Sequence, residues 1–338
     1  MLKNLLNQIP NYFEPKALVV LYHRVAEVEL DPWNLAVSPA RFEQHLQVLK
    51  DFAPVISVPE LLAKLHTKTL PRRSVVITFD DGYIDNFTYA MPLLEQFQLP
   101  ATFFVVANTL TRSQDFWWDE LARIFLVQPI LPALFSLTIG NGQRLEFDLA
   151  NDCVLSEDLW VLHQQWKGQY APPPTRRAHL YHLLWQTLIP LPSAEQRAAI
   201  SHIRDWTKAT PPIQPNTMSV AQLQLLRDNP LFTVGAHTLT HPALAYHSSS
   251  VQKHELRMGK QLLSQELSSN IELVAYPYGS CNDETINLAR AEEFTAAFTT
   301  QAQTITSNAN PYRLGRFQVD NWDGPTLKKY IRHWFTYC

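Results

Sequence analysis

The chain has 338 residues, with 28 Lys+Arg against 31 Asp+Glu and 46% hydrophobic residues. A formal net charge of −3 lacks the bulk basic signature of a nucleic-acid partner, and the apolar content excludes a disordered chain. With only 9 glycines it is not collagen-like or low-complexity, which leaves a globular protein with room for a sizeable core.

The first ten residues carry neither a signal-peptide apolar core nor a small-residue cleavage site. The longest apolar stretch, 124–137, contains Pro129 and Pro132 and is too short to span a bilayer. Cys153, Cys281 and Cys338 match no disulfide or zinc spacing. The expectation is a cytoplasmic protein with reduced thiols and no transmembrane segment.

The elements alternate along the chain. The Val- and Leu-rich run 17–22 reads as a buried parallel strand. Ser38 and Pro39 open a helix with Phe42, Leu46 and Leu49 on one face. Ser57 to Glu60 is a capping-box pattern for a second helix. A strand at 75–79, an amphipathic helix at 86–97 and a strand at 102–106 follow. After a break the rhythm returns, with a helix capped by Ser219 and Gln222, a strand at 231–236 and a helix at 251–267. It continues with a strand at 273–276, a helix at 283–293, a strand at 295–299 and a terminal helix after Pro325. Strands alternating with helices predict an α/β fold with a parallel sheet or barrel.

Residues 111–215 break the rhythm. A hairpin is expected over 134–149 around Asn141-Gly142. Several helices over 156–208 carry Trp160, Trp166, Trp185 and Trp206, and prolines punctuate 172–174 and 211–215. This is read as one large, mostly helical insertion in a loop of a single domain spanning 1–338.

Three motifs sit just after expected strands, where parallel α/β folds build their sites. Thr78-Phe-Asp-Asp-Gly-Tyr83 places two adjacent carboxylates at a strand tip. Buried alone they raise each other's pKa, and a cation relieves that cost. An Asp-Gly turn with Asp85 as helix N-cap is the structural alternative. Gly235-Ala-His-Thr-Leu-Thr-His241 offers two histidines that reach one ion from one helical turn. Two His plus one Asp suit Zn²⁺ or non-haem iron. An ion there lowers the pKa of water, and a neighbouring carboxylate takes its proton, which is the chemistry of acyl hydrolysis. The third motif, Leu21-Tyr-His-Arg-Val25, puts His23 at a strand tip, as a general acid or a buried structural residue.

Taken together, these residues resemble the polysaccharide deacetylase family (NodB-like, carbohydrate esterase family 4) over about 17–110 and 216–320, outside the insertion. The resemblance implies a distorted, incomplete (β/α) barrel and removal of N-acetyl groups from acetylated amino-sugar glycans, with lipid linkage of the acceptor left open. It implies Asp80 as catalytic base and Asp81, His237 and His241 as ligands of a divalent metal, Zn²⁺ first, with Fe, Ni or Co as alternatives. Ala275-Tyr-Pro-Tyr-Gly279 is similar to the motif that walls the substrate groove, implying Tyr278 near the acetyl group with its N–H as an oxyanion donor. Tyr83 and Pro277 in these motifs are assigned to substrate binding. The C-terminal region that usually holds the acid His reads Arg313-Leu-Gly-Arg316-Phe-Gln-Val-Asp320 and has none. His23 resembles the branch that includes the poly-N-acetylglucosamine deacetylases, and is assigned as the acid. Arg316 or Arg313 is the expected partner of the base. Trp117 and Trp118 of the insertion are assigned to sugar stacking, with a core role as the alternative. Rival readings are an O-acetyl esterase or small-amide hydrolase with the same site, a metal-free glycoside hydrolase and a non-catalytic carbohydrate-binding relative.

Overall fold

The computed structural model describes residues 14–111, 115–140, 142–209 and 216–337. The signal-peptide reading of the first ten residues, Asn141 of the expected turn, the prolines of 211–215 and Cys338 lie outside the described residues.

The apolar run becomes β1 (Lys16–Tyr22), buried from Ala17 onward. Short strands β2 (Arg24–Val25) and β3 (Ala36–Val37) pair with each other. Ser38 accepts from Arg41 N at the start of α1 (Pro39–Phe52), and Ser57 accepts from Glu60 N at the start of α2 (Val58–Thr67). β4 (Arg73–Phe79) follows. The helix expected over 86–97 divides into a π turn, Asn86–Ala90, and α3 (Met91–Phe97). Pro92 has no N–H to donate one turn back, so the helical ladder is interrupted there. β5 (Ala101–Val105) ends the first half.

The insertion holds α4 (Trp117–Ala122), the antiparallel hairpin β6 (Leu134–Thr138) and β7 (Arg144–Asp148), and then α5 (Glu157–Gln165), α6 (Arg176–Leu188) and α7 (Ser193–Thr207). It has its own core, in which Phe125, Phe135, Tyr181, Leu184 and Ile203 pack together. Fully buried Arg177 donates to the carbonyls of Gln128, Pro129, Asp152 and Cys153 and ties two irregular segments together.

The second half comprises α8 (Val220–Asp228), β8 (Phe232–Ala236), α9 (Ser249–Leu267), β9 (Leu273–Ala275), α10 (Asp283–Ala291), β10 (Ala296–Phe298), β11 (Phe317–Gln318) and α11 (Gly324–Tyr337). Seven strands form one parallel sheet in the order β10-β9-β8-β5-β4-β1-β11. Alternation along the strands turns Leu18, Val20 and Tyr22 toward the outer helices, while Ala17 and Val19 share an inner core with Phe104 and Phe298. Both faces are covered, which is why the strands read as continuous apolar runs.

The sheet curls because one segment serves both of its edges. Leu314 bridges to Phe298 of β10, and a few residues on β11 pairs with β1. Gly315 lies between them, where a Cβ would sit 2.5 Å from the carbonyl oxygen of Gln303. The result is a distorted, incomplete (β/α) barrel. No helix among the described residues is long and apolar enough to cross a membrane.

α9 packs its Gly259 directly on the loop that follows β8. A Cβ there would lie 2.6 Å from the Thr238 carbonyl carbon and 2.8 Å from Leu239 N. Replacing Gly by Ala inside a helix ordinarily gains about 1 kcal/mol. Gly259→Ala is expected instead to lower the melting temperature, and a thermal melt at or above wild type would show that the contact is not limiting.

Candidate active site

Asp80 and Asp81 follow β4. Asp80 N donates to Tyr22 O at 3.0 Å, and Asp81 takes a φ of 72°, uncommon for a non-glycine residue. Asp80 accepts both terminal nitrogens of Arg316, each at 2.7 Å. Arg316 is fully buried. Its Nε donates to Thr299 O at 3.0 Å, and its guanidinium lies 5.4 Å from the Phe104 ring centroid. Burial pushes the Asp80 carboxyl up, but the charge of Arg316 and its hydrogen bonds outweigh that, so Asp80 is held below the usual carboxylate range. Arg313, the other candidate partner, is exposed.

The two histidines lie not on a helical turn but on a loop leaving β8, because Thr238 and His241 both have positive φ, at 64° and 65°. That kink brings the imidazoles together, with ring centroids 4.8 Å apart. Glu255 of α9 fixes the loop by accepting from Leu239 N, Thr240 N and the Thr240 hydroxyl at 3.1, 2.8 and 2.6 Å. Sequence reasoning missed Glu255. Its signal is a carboxylate on the same helical stripe as the apolar Leu256 and Leu263.

His237 Nδ1 hydrogen-bonds Ala275 O at 2.8 Å, which leaves Nε2 to face the cavity with its lone pair. Burial lowers the His237 pKa to about 4, keeping the ring in its neutral, ligating form. Nε2 of His237 and of His241 lie 3.5 and 3.3 Å from the same oxygen, Asp81 Oδ1. That buried oxygen has no hydrogen bond of acceptable geometry. Burial raises the Asp81 pKa, but the contact with His241 prevails and holds it at about 2. The three ligand atoms lie within 4.8 Å of one another. An orphaned, ionised carboxylate oxygen facing the Nε2 atoms of two imidazoles fits a shared divalent cation.

The site opens into a cavity of about 310 Å³ lined by His23, Asp80, Asp81, Trp118, His237, His241 and Tyr278. His23 is positioned through its backbone, since Asn86 Nδ2 donates to His23 O at 2.9 Å. Asp85 is no helix cap. It accepts from Val25 N and Arg24 Nε, both at 2.9 Å, and fastens the segment after His23. Tyr278, at φ 57°, sets its ring 4.7 Å from that of His241. The Trp118 ring lies 4.6 Å from His241 on another side.

Three residues assigned to substrate binding do not line this cavity. Tyr83 is fully buried, donating to Asp119 Oδ2 at 3.0 Å and accepting from Trp118 Nε1 at 2.9 Å, so it positions Trp118 from behind. Burial pushes Asp119 up to about 7. Pro277 is buried beneath Tyr278 in a 3₁₀ turn. Trp117 faces a separate space beside Glu120 and Arg204. Trp33 and Trp185 were not expected in the site, yet both line it, with rings stacked at 4.1 Å. Neither lies in a motif. Trp33 precedes β3 and Trp185 belongs to α6, and only folding pairs them.

Removing one partner of a buried ion pair leaves an uncompensated charge, at a cost of about 3–5 kcal/mol. Arg316→Met is expected to lose about that much in urea unfolding near neutral pH. Because the folded pKa of Asp80 is lowered, the pair stabilises above about pH 4 and the deficit shrinks as pH falls through the folded value. A loss below 1 kcal/mol near neutral pH would contradict the assignment.

The polysaccharide deacetylase family model matches residues 67–126 and 194–297, and the gap between them falls in the insertion. A poly-beta-1,6-N-acetyl-D-glucosamine N-deacetylase of Staphylococcus epidermidis is 28% identical over 127 residues, which cover 35% of this chain and 43% of that protein. One from Staphylococcus aureus is 31% identical over 110 residues, 29% of this chain and 38% of that protein. The chain thus spans less than half the length of these curated relatives. Among solved structures, IcaB from Ammonifex degensii superposes with a TM-score of 0.59 at 18% identity, covering 95% of this chain and 97% of that one. The family model thus matches a little under half of the chain, the likeness to IcaB is one of fold, and in both respects the chain resembles the polysaccharide deacetylases.

Proposed function

We propose that the protein is a metal-dependent hydrolase that removes N-acetyl groups from an acetylated amino sugar in a poly- or oligosaccharide and releases acetate. One observation carries this reading. Asp81, His237 and His241 converge on one point beside Asp80, which Arg316 keeps ionised, and all of them meet at one cavity. The names of the staphylococcal relatives support an N-acetylglucosamine polymer as the substrate class.

Asp81, His237 and His241 would hold a divalent ion, Zn²⁺ by the donor set with Fe, Ni or Co as alternatives, and when bound it supplies Lewis acidity to the acetyl carbonyl and to water. Asp80 accepts a proton from the attacking water while its other contacts hold it in place. The oxygen of that water forms the new bond to the acetyl carbon. The backbone N–H of Tyr278 hydrogen-bonds the carbonyl oxygen as negative charge develops. His23 gives a proton to the nitrogen as the C–N bond breaks, and the amine leaves. Trp118, Trp33 and Trp185 present apolar walls that limit water and suit the C–H face of a sugar ring.

Metal content by mass spectrometry and acetate release separate these roles. Asp81→Asn and His237→Ala are expected to lose both metal and activity. Asp80→Asn is expected to keep its metal while kcat falls about 10²–10⁴-fold. A fully active Asp80→Asn protein overturns the reading. Acetate released only from O-acetylated sugars would make the protein an esterase instead.

A further inference from the structure

Gln169 and Gln318 line the catalytic cavity and also a second cavity of about 390 Å³ beside it. The other walls of the second cavity are Tyr170, Asp320, Trp322 and Tyr330. Trp322 packs partly against the barrel core, but the two tyrosines here are open to water. Tyr170 is 70% exposed and Tyr330 41% exposed. Trp322 and Tyr330 stack face to face at 4.0 Å with 13° between their planes, which holds the exposed Tyr330 ring in one orientation. The stack is held in place, because the Trp334 ring centroid lies 6.1 Å from that of Trp322 and the Trp322 carbonyl is hydrogen-bonded to His45 Nε2 at 2.8 Å. Opposite, Tyr170 donates to Asp320 Oδ2 at 3.2 Å and Gln169 Nε2 donates to Trp33 O at 2.8 Å. Both contacts join the insertion to the barrel, so the insertion completes the cavity.

This combination has a specific chemistry. A flat aromatic surface open to water takes the apolar C–H face of a pyranose ring. A carboxylate and two carboxamides at its rim accept and donate hydrogen bonds in the plane of that ring, where the hydroxyls lie. Continuity through Gln169 and Gln318 puts such a ring next to the catalytic cavity along one chain.

We propose that this second cavity is a sugar subsite that holds the glycan unit adjacent to the acetamido sugar being cleaved. Its ring lies against the exposed face of the Trp322–Tyr330 stack and its hydroxyls meet Asp320, Gln169 and Gln318. The proposal rests on the deacetylase reading and adds that an oligomer is held at a second point that a free monosaccharide does not reach.

The test compares acetate release from N-acetylglucosamine with release from its β-1,6-linked pentamer. Tyr330→Ala and Tyr170→Ala are exposed-site variants expected to fold. Each is expected to raise KM for the pentamer about three- to tenfold while leaving kcat/KM for the monosaccharide unchanged. An unchanged pentamer KM in both variants overturns the subsite, as does an equal loss on monosaccharide and pentamer. If wild type releases acetate from neither, the deacetylase reading fails, and the subsite is then judged by calorimetric binding of the fully deacetylated pentamer. Weaker binding by Tyr330→Ala than by wild type sustains the subsite. Equal binding, or none by wild type, ends it.

Discussion

The Asp80–Arg316 pair is the contact on which the architecture and the site both depend. Arg316 sits on the segment that bridges β10 to β1 through β11, so the residue that holds Asp80 also belongs to the segment that links the two edges of the sheet. A buried ion pair is often no more stabilising than a well-packed apolar alternative. What this one provides is coupling. The guanidinium ties this segment's register to Asp80 and Thr299, where each of its three nitrogens finds an acceptor. Asp80 is in turn kept anionic in a buried position where it would otherwise take up a proton.

Backbone strain gathers around that pair. Asp81, Thr238, His241 and Tyr278 are non-glycine residues with positive φ, and each supplies a side chain to the cavity or shapes the loop that does. Such conformations cost about 1–3 kcal/mol each and persist only where the surroundings over-determine them. Here Glu255, the Thr238 hydroxyl and the close approach of Gly259 hold the histidine loop. The Tyr83–Trp118–Asp119 hydrogen bonds stiffen the opposite wall. Rigid support of this kind keeps three ligand atoms close without a covalent link.

The insertion has a core of its own and yet is part of the site. It contributes Trp118, Gln169 and Trp185 to the cavity wall, and Trp185 stacks on Trp33 from the barrel. The open rim of an incomplete barrel is thereby given one built side. Tyr170 of the insertion and the Trp322–Tyr330 stack of the barrel line one cavity at the junction of the two parts.

Much was legible in the order of residues. Buried parallel strands read as Val- and Leu-rich runs because both faces are covered, and the caps at Ser38, Ser57 and Ser219 mark helix starts by local hydrogen bonds. The strand-tip motifs exposed Asp80, Asp81, His237 and His241 because chemistry at a strand end needs those residue types within a few positions of each other. These are short-range properties, and short range is what a sequence encodes directly. Three things depended instead on residues far apart in the chain. Arg316 rather than Arg313 meets Asp80, because the closing segment's register turns one inward and the other to solvent. Tyr83 lies behind the wall rather than in the cavity, because Asp119 and Trp118 claim its hydroxyl. Trp33 and Trp185 line the cavity, because the packing of the insertion on the barrel rim brings together side chains that share no local pattern.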